Sequence, residues 1–368
     1  MHHLFTKIGF VLLFCLEISA LGEQVKTFSN SGFAVNNSTP AFALLVVKNG
    51  KVLFKDVGGC AQFDAKKNCV LKATEETAFS ICSITKHFIS AGILLLEEEG
   101  KLSIEEEASQ YLELSEKFLG IKIRHLLFHT SGIPDYFPVD IEGIAAQKKR
   151  FTSDDVMKKL EKLELNPVGT KMAYSNTGYV LLGKIIEKVS GQSLEEFLKE
   201  RIFQRFGMKT AFLQASLPSQ TNHTFQYSPW PLLKEESWPK VLIAGAEGGI
   251  WMSINDYEKW IDAFDQNKIF RKKETMAKYL SKGTLDSGAQ ITGDRGEKEY
   301  SYGFGLGFNA MEYKGKKYNL ITHGGGMPGT ASQFAKFIDQ GLWVVNFNNN
   351  ATYPSATDLL EQLGIAID

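Results

Sequence analysis

The stretch AFSICSITKHFISAGILLLEEEG, residues 78–100, decides the fold of this chain. It predicts a helix, because Gly100 stands where the residue after a helix C-terminus usually stands, and three glutamates before it return the chain to water. Between Ile81 and Leu96 apolar residues occur on every side of the helix. A helix that is apolar all round is normally buried all round, so this one is expected to run through the core.

The start of this helix carries a Ser-x-x-Lys pattern, Ser83 and Lys86. A spacing of three places both side chains on one apolar face, near the positive end of the helix dipole and with no carboxylate within a turn. A lysine in an apolar setting has a lowered pKa, so it can take the proton of a serine and make that serine a nucleophile. The alternative is a lysine that reaches solvent at the helix end.

Composition limits the size and the partners of the protein. The 368 residues are 43% hydrophobic, enough for one large domain or two interleaved ones. The formal net charge is −1 and no long basic run occurs, so neither nucleic acid nor an anionic membrane surface is an expected partner. The histidines are scattered, with no pair at ligand spacing on one helix, so no metal or other cofactor is expected. The oligomeric state stays open.

The N-terminus has the pattern of a secretory signal peptide, assigned to residues 1–22. Lys7 gives a weak positive region, residues 8–16 an apolar one, and residues 20–22 a small-x-small cleavage candidate. The apolar run is short for a membrane span, which favours cleavage over an uncleaved anchor. We therefore expect a secreted or periplasmic protein with no stable membrane span after cleavage.

Three cysteines follow that segment: Cys60, Cys69 and Cys82. Cys60 and Cys69 can bridge across the end of a hairpin in an oxidising compartment, and two unpaired thiols fit the sequence equally well. Cys82 belongs to the buried helix.

The remaining pattern is a hairpin, a helical middle and a set of C-terminal strands. Asn49-Gly50 joins two β-rich runs, 41–48 and 51–57. Helices are expected from a capping box at 103–106, over 151–165 and 176–190, after the cap Ser193, and over 255–264. Residues 217–240 are expected to be loop. Strands are expected over 302–309, 318–323, 332–338 and 342–348, before a helix near 355–365.

These elements predict an α+β fold. Both chain ends would share one antiparallel sheet flanked by helices, with a large, mainly helical insertion beside it. The mature domain, 23–368, would consist of an α/β part, residues 40–80 and 241–368, and a mainly helical part, residues 81–240. A ligand site is commonly found in the cleft between two such parts.

Two more motifs suggest chemistry. In Tyr174-Ser-Asn176, a phenol beside a lysine ammonium can ionise more easily and pass protons, and the Asn can hold a substrate amide. The alternative is a packed tyrosine with Asn176 as a helix cap. In His323-Gly-Gly-Gly326, the glycines let a substrate backbone approach, and a strand N–H with that of Ser83 would form an oxyanion hole. The alternative is a glycine-rich turn with a satisfied histidine.

In this order, the three motifs resemble the penicillin-recognising serine hydrolases. These include class C β-lactamases, D-Ala-D-Ala carboxypeptidases, D-aminopeptidases and family VIII esterases. The fold implied is the β-lactamase/transpeptidase-like fold. The similarity covers roughly residues 40–350, including LLFHTSGIPDYF (126–137), YSNTGYVLLGKIIEKVSGQSLEEF (174–197), AGAEGGIWMSINDYEKW (244–260) and YGFGLGF (302–308).

The resemblance implies a role for each motif residue. Ser83 would be the acylated nucleophile, Lys86 its activator and Tyr174 the proton shuttle. The substrate would bind to Asn176, His323 and Gly325, and its oxyanion to the N–H groups of Ser83 and Gly326.

His323 departs from the β-lactamase pattern, in which the lysine of Lys-Thr-Gly helps to bind the penicillin carboxylate. Efficient β-lactamase activity is therefore not expected, although acylation is. Because the reference pKa of histidine is about 6.5, we expect anion binding through His323 to weaken above neutral pH.

The leading hypothesis is an extracytoplasmic serine hydrolase that acts through an acyl-enzyme on D-amino-acid peptides, esters or related amides and, less efficiently, on β-lactams. One alternative is a class C-type β-lactamase. An alternative of another class is a non-catalytic protein that binds peptidoglycan or a partner on the same fold.

Overall fold

The computed structural model describes residues 39–136, 152–214, 220–227, 245–293, 299–351 and 354–368. The expected signal peptide and most of the expected loop at 217–240 lie outside these ranges. Within them, no helix combines the length and the apolar character needed to cross a bilayer.

The main sheet of the described chain takes strands from both chain ends. It is antiparallel, in the order β2-β1-β12-β11-β10-β9-β8. Its strands are β1 Phe42–Lys48, β2 Lys51–Gly58, β8 Ser301–Gly303, β9 Leu306–Tyr313, β10 Lys316–Met327, β11 Thr330–Phe337 and β12 Leu342–Asn348. Because β1 pairs with β12 along its whole length, the predicted sheet shared by both ends is confirmed.

Two smaller β units lie beside this sheet. β3 Cys60–Phe63 and β4 Cys69–Lys72 form a hairpin that the Cys60–Cys69 disulfide closes, so the bridge, and not the pair of thiols, is the structure adopted. β5 Phe79–Ser80, β7 Ile250–Met252 and β6 Phe212–Leu213 form a three-stranded sheet.

The helices cover both faces of the main sheet. They are α1 Thr85–Glu98, α2 Ile123–Leu127, α3 Ser153–Leu160, α4 Asn176–Ser190, α5 Leu194–Leu198, α6 Ile254–Asp265, α7 Lys273–Tyr279 and α8 Ala356–Gln362. α1 is buried at every position from Thr85 to Leu96, as predicted, and packs against α4 and α7. Each of its fully buried leucines and isoleucines contributes about 1.5–3 kcal/mol. α8 packs its leucines on the opposite face of the sheet.

Two sequence expectations are wrong in detail. The expected strand 302–309 is a hairpin, β8 and β9, because Phe304 and Gly305 take positive φ angles of 53° and 75° and turn the chain. The expected capping box at 103–106 forms its hydrogen bond between Ser103 and Glu106, but no α-helix begins there. A turn leads instead to the 3₁₀ helix Ala108–Gln110.

Candidate active site

The Ser83 turn presents its hydroxyl at the edge of the core. Ser83 lies in the 3₁₀ turn Cys82–Ile84, immediately before α1 and not within it. Cys82, a buried residue, has a φ of 46°, a left-handed conformation that costs a non-glycine residue about 1–2 kcal/mol. Strain of this kind is typical of functional sites. The turn leaves Ser83 half-buried, while the next residues enter the core.

Lys86 forms the floor of the site. Its side chain is fully buried, so it does not reach solvent. Its Nζ lies 3.2 Å from Ser83 Oγ, 2.7 Å from Asn176 Oδ1 and 2.5 Å from the carbonyl oxygen of Glu247. Burial lowers the pKa of Lys86 to about 7, although the charges of Glu247 and Asp135 act in the opposite direction. Near neutral pH this lysine is therefore divided between its ammonium and amine forms.

Tyr174 lies over the same lysine, with its ring centroid 4.9 Å from Lys86 Nζ. Burial raises the pKa of Tyr174 well above its usual value, and the hydrogen bond with the Ser83 side chain only partly offsets this. The expectation that the lysine eases ionisation of the phenol is therefore wrong: desolvation dominates, and Tyr174 is a neutral hydroxyl at neutral pH.

Asn176 is the first residue of α4, but Ser175 is the cap, because its Oγ accepts the N–H of Gly178. The Asn176 side chain is thus available to the site. Its Nδ2 donates to Asp135 Oδ2 over 2.8 Å, and its Oδ1 accepts from Lys86. These two contacts fix the orientation of the amide.

Strand β10 forms the opposite wall. A Cβ at Gly325 would lie 2.8 Å from the Ser83 nitrogen and 2.6 Å from the Ile81 oxygen, so the strand and the serine turn approach as closely as they do because this residue is glycine. Pairing with β9 ends at Thr322, whereas pairing with β11 continues to Met327. Gly326 therefore lies where no described strand pairs with β10 on the side of β9.

His323 is buried in this wall and is neutral. Its Nδ1 lies 2.6 Å from the Gly324 oxygen, which can only accept, so Nδ1 carries the proton. Its Nε2 then accepts from the hydroxyl of Tyr302 over 3.1 Å. Burial and, to a smaller extent, the charge of Lys86 lower the pKa of His323 to about 3. The expectation that His323 titrates near neutral pH and binds anions through its charge is therefore wrong.

Two carboxylates of the site were not singled out from the sequence. Asp135 orients Asn176, and Glu247 is a buried residue whose carboxylate accepts hydrogen bonds from Tyr136 and from the N–H of Gly245. A signal for Glu247 existed: a lone glutamate among glycines and apolar residues, in AGAEGGIWM, has to be buried and paired. Asp135 had no comparable signal.

Comparison with known proteins agrees with this geometry. The family model described as Beta-lactamase matches residues 23–364. Penicillin-binding protein 4* of Bacillus subtilis is 30% identical over 324 residues, 83% of this chain and 67% of that protein. The D-aminopeptidase of Brucella anthropi is 29% identical over 358 residues, 91% of this chain but 61% of the relative, so the chain spans about three fifths of its length.

Solved structures share the fold. The octameric penicillin-binding protein homologue from Pyrococcus abyssi superposes with a TM-score of 0.72 at 26% identity, covering 90% of this chain and 75% of that one. The D-amino acid amidase from Ochrobactrum anthropi SV3, complexed with L-phenylalanine amide, gives 0.69 at 23% identity over 88% and 93% of the two chains, a likeness of fold alone. The chain belongs to the β-lactamase family of serine hydrolases.

Proposed function

We propose that this chain hydrolyses amides, peptides or esters of D-amino acids through an acyl-enzyme on Ser83. One observation carries the proposal: a buried lysine with a pKa of about 7 lies 3.2 Å from a half-buried serine hydroxyl. An exposed lysine has a pKa of about 10.4 and is almost entirely protonated at neutral pH, whereas here the amine form is abundant. Lys86 can then act as the general base.

The remaining residues fit the steps of acyl transfer. Ser83 Oγ attacks the substrate carbonyl carbon while its proton passes to Lys86. The N–H groups of Ser83 and Gly326 donate to the oxyanion. One such donor stabilises the transition state by about 3 kcal/mol. Tyr174 relays the proton to the leaving nitrogen or oxygen as that bond breaks. Water then attacks the acyl ester, releasing the acid and restoring Ser83.

The charge of the site supports amides and esters over substrates recognised by a carboxylate. His323, where β-lactamases carry lysine, is neutral and has both ring nitrogens engaged. His323 therefore carries no positive charge that could bind the carboxylate of a penicillin or of a peptide C-terminus. The name of one relative, D-aminopeptidase, points to the same substrate class.

We also propose an extracytoplasmic location, secreted or periplasmic. The apolar N-terminal segment that resembles a signal peptide and the Cys60–Cys69 disulfide support it, since such bridges persist in oxidising compartments.

The test uses intact mass spectrometry and product analysis on the wild type and on Ser83→Ala. D-phenylalanine amide, L-phenylalanine amide, a short-chain ester and benzylpenicillin are each incubated with both proteins. We expect turnover of the D-amide or the ester, a slow penicillin adduct, and neither with Ser83→Ala. Fast penicillin hydrolysis without an adduct would instead indicate a β-lactamase. No turnover and no adduct with any compound would indicate a non-catalytic binding protein.

A further inference from the structure

The turn at residues 245–249 brings a buried carboxylate close to Lys86. The N–H groups of Gly248 and Gly249 both donate to the Gly245 oxygen, over 3.3 and 2.7 Å, which makes the turn tight. A Cβ at Gly248 would lie 3.4 Å from the Cys82 carbonyl carbon, so the turn packs directly on the Ser83 turn. Glu247 is at the centre of this turn and is 2% exposed.

Both ends of Glu247 are held. Its Oε2 accepts the N–H of Gly245 over 2.9 Å, which closes the turn on itself. Its Oε1 accepts the hydroxyl of Tyr136 over 2.6 Å, which ties the turn to the segment that also carries Asp135. Its backbone oxygen is the acceptor 2.5 Å from Lys86 Nζ. The side chain of Glu247 therefore fixes the position of its own carbonyl group.

We propose that Glu247 is a positioning residue for the reaction: its carboxylate, held by Tyr136 and Gly245, fixes the carbonyl oxygen that orients the Lys86 amine toward Ser83. This inference rests on the proposed function. It assigns to Glu247 a role in the reactivity of the serine, beyond folding the turn.

The orientation follows from a count of hydrogens. Asn176 Oδ1 and the Glu247 oxygen can only accept, since Asn176 uses its Nδ2 on Asp135. A neutral Lys86 amine has two N–H groups, and these two acceptors use both of them. The nitrogen lone pair is then left on the side of Ser83 Oγ, 3.2 Å away, in position to take the hydroxyl proton. Without the Glu247 oxygen in place, one N–H would turn toward Ser83 and the lone pair away from it.

The charges that face Lys86 come from several elements. Glu247 has the largest charge effect on the lysine, followed by Asp135 and Cys82. Tyr174 and Tyr179 contribute ring faces, and the nearby His129 and His323 are kept neutral by burial. Removing the charge of Glu247 while leaving the others in place should therefore lower the pKa of Lys86 further.

The test follows the labelling of Ser83 by a fluorophosphonate probe as a function of pH. Labelling joins Ser83 Oγ to phosphorus, expels fluoride and transfers the serine proton to Lys86, so it reports the base directly. Glu247→Gln keeps the size of the side chain and removes its charge. It also replaces one of the two oxygens that accept from Tyr136 and Gly245 by an NH₂ group, which cannot accept. We expect labelling at the plateau to slow about 10-fold, less than the roughly 10²–10⁴-fold effect of a whole general base because Lys86 itself remains, and the midpoint to move to lower pH.

Three variants separate positioning from folding. Glu247→Asp keeps the charge and should bring the midpoint back toward that of the wild type. Tyr136→Phe removes one anchor but no charge, so it should slow labelling with a smaller shift of the midpoint. Glu274→Gln removes the charge of an exposed glutamate on α7 and should change neither quantity. Thermal unfolding of each variant shows whether it is folded.

The outcomes distinguish the two proposals. If the wild type is labelled at Ser83 but Glu247→Gln gives the same rate and midpoint, the role of Glu247 is wrong and the proposed function stands. A folded Glu247→Gln that labels slowly with an unmoved midpoint would mean a structural role only, and would also overturn the inference. If Ser83 in the wild type is not labelled, the proposed function fails and the role of Glu247 fails with it.

Discussion

The site lies between a helical wall, formed by the Ser83 turn and the starts of α1 and α4, and a strand wall, formed by β10. Each wall buries one basic group, and the two groups have different pKa values. Lys86, on the helical wall, has its pKa lowered to about 7, and His323, on the strand wall, to about 3. Desolvation is the largest cause in both. The charges of Glu247 and Asp135 oppose the fall in the pKa of Lys86, whereas no described carboxylate raises the pKa of His323. The pKa falls by about the same amount in both groups, from 10.5 to about 7 for Lys86 and from 6.5 to about 3 for His323, so the lysine titrates near neutral pH because its ordinary pKa is higher. The carboxylates of Glu247 and Asp135 keep the pKa of the lysine from falling further.

This contrast assigns different tasks to the walls. The helical wall supplies proton transfer, because its lysine changes protonation near neutral pH. The strand wall supplies shape and backbone donors, because its histidine stays neutral and its glycines allow close approach.

The largest effect is expected from Lys86→Met. The variant removes the base, so the rate of acylation should fall by a factor of about 10²–10⁴. Because the variant removes the donor to Asn176 Oδ1 and to the Glu247 carbonyl oxygen, the free energy of unfolding should also fall, by about 1–3 kcal/mol. Pre-steady-state acylation and denaturant unfolding measure the two quantities. Acylation at a rate near that of the wild type would show that the base lies elsewhere.

The next effect should come from Gly325→Ala. A Cβ there would lie 2.6 Å from the Ile81 oxygen, so β10 has to move away from the serine turn, at a cost of about 1–3 kcal/mol of stability. Acylation should slow because the proposed oxyanion donors separate.

Gly324→Ala is the matched control, since a Cβ at Gly324 meets no atom within 4 Å. It should be close to wild type in both acylation and stability. If the two variants are equally active, the strand wall does not approach the serine as the structure describes.

The sequence predicted the helical wall better than the strand wall. The buried helix, the closeness of Lys86 to Ser83 and the bounds of α4 agree with the sequence prediction, because each depends on local spacing, although Ser83 lies in the turn before α1 and not within the helix. The sheet shared by both chain ends followed from the order of the elements.

What the sequence did not predict depends on contacts between distant segments. The charge state of His323 is set by its burial and, to a smaller extent, by the charge of Lys86 on a distant segment, and not by the reference pKa of an imidazole. The carboxylates near Lys86 belong to Asp135 and Glu247, 49 and 161 positions further along the chain. A search for carboxylates within one helical turn of Lys86 does not detect them. The turn at Phe304 and Gly305 is a local exception: the alternation of large apolar residues with glycine over residues 302–308 has the period of a strand, so the sequence predicts no turn there.

The third prediction concerns pH. The reactive form is the Lys86 amine, so acylation should rise with pH through about 7 and level off above it. His323 is already neutral over this range, so His323→Asn should leave the midpoint unchanged even if the rate falls. The pH dependence of acylation for both proteins measures this. A midpoint that moves in His323→Asn would mean that the histidine is charged in the working enzyme, and the contrast between the walls would fail.

The smallest effect is expected from Tyr302→Phe. It removes the hydroxyl that donates to His323 Nε2 and leaves this buried acceptor unpaired, so the free energy of unfolding should fall by about 1–3 kcal/mol. The acylation midpoint should not move, because the change lies on the wall that does not titrate. Tyr313→Phe, whose lost hydrogen bond to Glu361 is on the surface, should change the stability by less than about 1 kcal/mol. If Tyr302→Phe shifted the midpoint as far as Glu247→Gln does, the protonation of the two walls would be coupled, and the separate tasks assigned to them would have to be given up.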